Sequence, residues 1–232
     1  MDEQSRLRSV YARYRESDKK QQAWSLGNPG NARILDERSH TVEELLGSVL
    51  PLRADARVLE IGCGSGDVLS GCTRHGIPTN ALVGVDLLHD RLIEGRRHHP
   101  ILSLCCADAR RMPFGDGTFS LLLVFTVFSS ILDDAFAHVM ACEIDRVLEP
   151  GGSVLWYDFR YRNPKNPDVR PMTAAGIDRL FPPYVKRQRT ITLLPPLARR
   201  LGGMTPFLYP LLSTVPMLRT HICGLFTKPL EV

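Results

Sequence analysis

The chain has 232 residues, 44% of them hydrophobic and 23% charged, with a formal net charge of +4. That is room for one α/β domain with a full core, not for two, and the composition is that of an ordinary globular domain rather than a disordered or fibrous one. No run reaches the ~18 apolar residues of a membrane span, and the N-terminal MDEQSRLRSVYARYRESDKK lacks the apolar stretch of a secretory signal.

Residues 1–40 read as an N-terminal cap segment. Arg6 to Lys20 has Leu7, Val10, Tyr11 and Tyr14 at helical spacing, and GNPGN at 27–31 is expected to break any helix. A clearer helix is expected to open at Thr41, where Thr41 and Glu44 fit a capping box and Leu45, Leu46, Val49 and Leu50 share a face. Pro51 would end it. A core over 41–160 follows, then a C-terminal part, 161–232.

From residue 57 the pattern alternates. A strand at 57–61 leads through a glycine turn to a short helix at 67–75, and ALVGVD (81–86) is the second strand. A helix from Asp90 to His98 precedes a third strand within 101–108 and a fourth within 118–128, the last apolar enough to be buried on both faces. A helix from Asp134 to Leu148 and the turn Pro150-Gly151-Gly152 lead to a fifth strand, 153–159. Alternating strands and helices mean βαβ units and a mostly parallel sheet. After a short helix, Thr173 to Phe181, strands are expected at Lys186–Leu194 and Ile222–Lys228. The apolar, proline-rich stretch 193–220 between them is too long for a hairpin loop and is expected to act as a lid or acceptor region, with membrane or partner contact and plain core extension as the alternatives.

The chemistry concentrates at VLEIGCGSGDV, 58–68. Gly62, Gly64 and Gly66 end a strand and let a ligand approach the backbone at a helix start. A dinucleotide turn wants G-x-G-x-x-G, but Asp67 or Leu69 stands where its third glycine belongs, and no GK[ST] follows for a Walker loop. Glu60, Asp86 and Asp108 lie at or beside the ends of three successive strands. Three acids suit a ligand with a cationic centre and a sugar diol, and would repel a pyrophosphate.

Here the chain resembles the class I S-adenosylmethionine-dependent methyltransferases, in their small-molecule, methyltransferase type 11-like branch. The likeness covers roughly residues 55–160, through VLEIGCGSG, GVD at 84–86, CADARRMPF at 106–114 and RVLEPGG at 146–152. It implies a Rossmann-like, doubly wound α/β sandwich with strand order 3-2-1-4-5-7-6 and strand seven antiparallel. It implies S-adenosyl-L-methionine as cofactor and S-adenosyl-L-homocysteine as product. Glu60, Gly62, Cys63, Gly64 and Gly66 would hold the methionine moiety, Asp86 the ribose, and Asp108 and Ala109 the adenine, with Leu87 and Phe125 completing the set. Where many relatives carry a histidine pair after strand four, Phe128-Ser129-Ser130 stands instead, so a histidine base at that point is lacking. The expected reaction is methylation of a small molecule, at oxygen, in a natural-product, glycan or lipid pathway; the alternatives are an RNA methyltransferase and a cofactor-binding partner subunit without turnover.

Other candidates follow from position. Asp158, ending strand five, and His221, at the start of strand seven, are the candidate bases; Ser129 and Ser130 could bind cofactor or acceptor. Tyr11, Tyr14 and Trp24 could close over the cofactor as a flap. Six scattered cysteines, with no CxxC or Cys/His metal spacing, fit reduced thiols in a cytoplasm and no metal; Cys63 is read as filler in the turn rather than a nucleophile. Residues 159–232 carry 12 Lys/Arg against 3 Asp/Glu, while 1–158 carry 17 against 22. The basic third motivates an anionic or lipophilic acceptor, with Arg189, Arg199 and Arg200 as its contacts, and peripheral membrane contact as a second use; no RNA-binding appendage is recognisable.

Overall fold

The computed structural model describes residues 2–16, 25–164 and 166–230. Its centre is a seven-stranded sheet ordered β3-β2-β1-β4-β5-β7-β6. The strands are β1 (Val58–Ile61), β2 (Leu82–Asp86), β3 (Ser103–Cys106), β4 (Phe119–Phe125), β5 (Leu148–Phe159), β6 (Val185–Leu193) and β7 (Arg219–Thr227). β1 to β5 are parallel, and β7 runs antiparallel to both β5 and β6. This is the order expected from the sequence. β5 begins earlier than expected: Phe119 pairs with Leu148 but Leu121 with Ser153, so Pro150-Gly151-Gly152 bulge out of a continuing strand.

Helices cover both faces: α1 (Glu3–Arg15), α2 (Pro29–Leu46), α3 (Asp67–Gly71), α4 (His89–His98), α5 (Asp134–Val147), α6 (Ala174–Leu180), α7 (Pro195–Arg200) and α8 (Thr205–Ser213). Successive strand residues point to opposite faces, so the apolar run of β4 feeds two cores. Leu122 and Val124 meet Phe136, Met140 and Ile144 of α5 and Ile177 of α6. Leu121, Leu123 and Phe125 meet Leu45 and Leu46 of α2, Leu69 of α3 and Leu92 of α4.

α2 corrects the reading of the N-terminal segment. GNPGN does not break a helix; it starts one. The Asn28 side chain accepts from the Gly30 and Asn31 amides, and Pro29 occupies the first turn, where its missing N–H costs nothing. Thr41 lies inside this helix, buried, and the helix ends at Leu46 without help from Pro51. One helix thus crosses the expected boundary between residues 40 and 41. At the N-terminus, Asp2 caps α1, which ends at Arg15. Residues 17–24, including Trp24, lie outside the described residues.

The 193–220 stretch folds as α7 and α8 and docks on α2. Ile34, Leu193, Ala198 and Tyr209 form a small core of their own. Among the described residues no helix is long and apolar enough to cross a membrane.

Candidate functional site

The parallel strands end on one edge of the sheet, and a cavity of about 250 Å³ opens there. β1 stops at Ile61, after which Gly62, Gly64 and Gly66 take φ values of 68°, 55° and 82°, a region that side chains with a Cβ enter only at a cost. The Cys63 amide donates to the Val85 carbonyl (3.0 Å) and the Gly66 amide to the Cys63 carbonyl (2.8 Å), folding the turn against β2 before Gly66 caps α3. Gly62 and Cys63 line the cavity; Gly64 and Gly66 shape the turn behind it. Burial pushes the Cys63 thiol well up, so it is a packed group rather than a nucleophile.

Glu60, Asp86 and Asp108 line this same cavity, with Leu87, Ala109 and Phe125. Register explains why. Glu60 pairs with Gly84, and Asp86, two residues on, sits opposite Cys106, two residues before Asp108. Glu60 is 3% exposed and accepts from the Leu69 amide at 2.9 Å. Burial pushes its carboxyl up to about 8, with the Asp86 charge adding to the shift. Such a group ionises readily once a cation enters. Asp86 accepts from the Gly64 amide (2.7 Å) on one oxygen and from the Leu88 amide (2.8 Å) on the other. Each oxygen keeps a further lone pair, enough for two hydroxyls. Against its burial, hydrogen bonds from Arg110 hold the Asp108 carboxyl below its ordinary range. Gln4 of α1 donates to the same carboxylate at 2.6 Å. The residues present therefore fit a cationic adenosine compound such as S-adenosylmethionine, and do not fit a pyrophosphate.

The rest of the lining combines distant parts of the chain. Leu7 and Tyr11 of α1, Val127, Ile131, and Phe136 and Met140 of α5 make an apolar wall. α1 is held across it: Arg6 donates to the Ser130 carbonyl, the Leu132 amide donates to Glu3 (2.7 Å), and the Tyr11 and Ser130 hydroxyls lie 3.1 Å apart. Tyr14 turns away to Asn166 instead. Two guanidiniums also line the cavity. Arg38 of α2 lies 5.8 and 5.7 Å from the ring centres of Phe125 and Tyr157, and Arg91 of α4 lies 5.7 Å from that of Tyr11. Leu7, Arg38, Arg91 and Thr126 were not singled out as site residues from sequence. Leu7 had a signal, its helical spacing with Tyr11. Thr126 has φ 55°, unusual for a β-branched residue, and its amide donates to the Tyr157 carbonyl at 2.7 Å.

The two candidate bases are not brought to the cavity. Asp158 is 0% exposed and accepts from the Ser129 (3.0 Å) and Phe159 (2.8 Å) amides. Burial pushes its carboxyl up to about 6. It braces the turn after β4, while Ser130, not Ser129, reaches the cavity. His221 is 2% exposed and stacks on Tyr157, rings 4.6 Å apart and 2° from parallel. The Thr220 hydroxyl donates to the Thr192 carbonyl (3.1 Å), so it accepts from Nδ1–H of His221 (2.9 Å). Burial pushes the imidazole down to about 3, which leaves it neutral and structural. Arg189, Arg199 and Arg200 are also absent from the lining: Arg189 pairs with Glu44 at 2.5 Å and Arg199 bonds Asn31 at 2.9 Å. No residue of 193–220 lines the cavity, because that stretch packs on the far half of α2.

A family model described as "Methyltransferase domain" matches residues 58–152, from the first residue of β1 to the bulge of β5. The chain is 41% identical over 108 residues to a fatty-acid O-methyltransferase of Mycolicibacterium smegmatis, covering 46% of this chain and 38% of that protein. It is 37% identical over 109 residues to phthiotriol/phenolphthiotriol dimycocerosates methyltransferase 1 of Mycobacterium ulcerans, covering 46% and 39%. The chain thus spans about two fifths of the length of these curated relatives. A solved SAM-dependent methyltransferase from Archaeoglobus fulgidus shares the fold with TM-score 0.58 at 14% identity, over 82% of this chain and 94% of that one. The matched stretch contains the glycine turn and all three acids, and the sheet around it has the fold of a solved methyltransferase: residues 58–152 match a methyltransferase domain.

Proposed function

We propose that the chain transfers a methyl group from S-adenosylmethionine to an oxygen of a lipophilic small molecule, in a natural-product, glycan or lipid pathway. One observation carries this reading: a single cavity is lined by the acids Glu60, Asp67, Asp86 and Asp108, by two guanidiniums, and by an apolar wall. The cofactor supplies an activated methyl group on a sulfonium, so the chain must bind, orient and exclude water. Glu60 is assigned to the methionine ammonium, Asp86 to the ribose hydroxyls, and Asp108 with the Ala109 amide to the adenine. Gly62, Cys63, Leu87 and Phe125 form the walls around them. Leu7 and Tyr11 close the cavity from α1.

A protonated acceptor would need a general base, worth ~10²–10⁴-fold, and neither Asp158 nor His221 lines the cavity. A carboxylate is already ionised at neutral pH and needs none. Both relatives are named for lipophilic acceptors, a fatty acid among them. The acceptor proposed here is therefore a long-chain carboxylic acid. Arg91, against Gly64 and Tyr11, is assigned to the methionine carboxylate, and Arg38, against Phe125 at the end of β4, to the acceptor's.

The test is release of S-adenosylhomocysteine with fatty acids of increasing length, compared with the corresponding alcohols. Turnover on the acids, with Arg38→Gln raising acceptor KM about tenfold or more and leaving cofactor Kd unchanged, is the expected result; a charged hydrogen bond contributes ~1.5–3 kcal/mol. Turnover on alcohols alone would overturn the carboxylate assignment, and an Arg38→Gln effect confined to cofactor Kd would move Arg38 to the methionine end.

A further inference from the structure

α8 presents a solvent face unlike that of an ordinary surface helix. Its sequence, TPFLYPLLS, contains no charged residue, whereas the outer face of a soluble helix is normally polar. Tyr209 and Thr205 turn inward, 1% and 3% exposed, and Leu212 packs against the same small core. What remains outside is apolar: Phe207 is 74% exposed and Leu211, one turn on, 63%. The flanks continue the patch, with Met204 at 53%, Val215 at 43% and Met217 at 80%. Contiguous exposed apolar side chains of this size mark a surface that something covers.

The charge around the patch is of one sign. Between residues 179 and 230 there are eight Lys/Arg and no Asp or Glu. Arg160 donates to the Pro216 carbonyl at 3.4 Å, beside Val215 and Met217, and stacks 4.4 Å over the ring of Tyr161. Arg219 donates to the Ser213 carbonyl at 2.5 Å, at the end of α8, and Arg200 stands exposed four residues before Met204. The nearby acids of α2 are engaged elsewhere: Asp36 pairs with Arg33, and Glu37 accepts from the Tyr209 hydroxyl (2.7 Å) and the Thr192 amide (2.9 Å).

We infer that this face docks on an anionic lipid bilayer, Phe207, Leu211 and Met217 entering the headgroup–acyl boundary while Arg160, Arg200 and Arg219 meet the phosphates. Apolar insertion and attraction to anionic lipid are the two parts of interfacial binding, and their contributions add. The same charges argue against a second copy of this chain as the occupant, since a symmetric pairing would bring the two sets of cations together. The inference does not depend on the methyltransferase reading. It adds a consequence to it: α8 bonds through Tyr209 to Glu37, and the next residue of α2, Arg38, lines the cavity. A docked protein would therefore hold α2 and the cavity close to the layer in which lipophilic acceptors dissolve.

Co-sedimentation with vesicles tests this directly. The full chain is mixed with phosphatidylcholine vesicles, and with vesicles in which about a third of the lipid is phosphatidylglycerol, at low and high salt. The expected result is at least tenfold stronger partition onto the anionic vesicles, weakened by salt. The variant Phe207→Ser/Leu211→Ser/Met217→Ser should lose that binding at least tenfold with thermal unfolding unchanged, because these side chains are exposed. The variant Arg160→Gln/Arg200→Gln should lose the preference for anionic lipid. No binding to either vesicle, or binding that the triple serine variant retains, would overturn the inference. So would a concentration-dependent dimer in size exclusion that the triple variant abolishes, since the patch would then be covered by a second copy.

Discussion

Glu60 is the residue at which burial and function are most directly coupled. Its carboxyl is pushed up to about 8, so it is protonated in the free protein at neutral pH. A cation placed beside it lowers that value, so cofactor binding releases a proton wherever the free form is protonated and the bound form is not. The sign follows: cofactor affinity rises with pH toward about 8, approaching tenfold per unit well below that value, and flattens above it. Calorimetric titrations at pH 7 in two buffers of different ionisation enthalpy should show close to one proton released. Glu60→Gln should remove the release and the pH slope together; a slope that survives in Glu60→Gln would assign it to another group.

At the scale of elements, α2 shows what was legible in the sequence and what was not. The glycine turn and its acids could be read because each lies within a residue or two of a strand end, and parallel register carries those ends to one edge. α2 was read wrongly because two start signals compete along it. Thr41 and Glu44 form a plausible box, but Asn28-Pro29 comes first, and a helix once begun has no reason to stop at a threonine that can be buried. The base candidates failed for a different reason. Asp158 and His221 stand near the right edge, but the turn amides claim the first and the Tyr157 stack encloses the second. Arg38 could not have been found from spacing, since its neighbours Phe125 and Tyr157 are far along the chain. α2 also yields a prediction on stability. A Cβ at Gly30 would run into the Ala198 carbonyl of α7. Gly30→Ala should therefore destabilise by about 1–3 kcal/mol and lower Tm by several degrees. Without that contact, alanine's better helix propensity would raise Tm instead, so the sign of the shift in a thermal melt decides whether α7 packs here.

The whole molecule joins a sheet-edge site to two additions that differ in their attachments. α1 crosses the cavity on polar contacts, including the Gln4 bond to Asp108, whereas α7 and α8 stand apart on α2 with an apolar face outward. The sheet order places the acids; the additions at either end of the chain decide what else reaches them. The central claim is that Glu60, Asp86 and Asp108 form one S-adenosylmethionine site, and calorimetric titration of that cofactor into the wild-type chain and Asp86→Asn tests it most directly. The account predicts one site per chain in the wild type and a loss of about 10–100-fold in affinity in the variant, in line with ~1.5–3 kcal/mol for hydrogen bonds to a charged group. Equal affinity for the two proteins, with both folded, would contradict it.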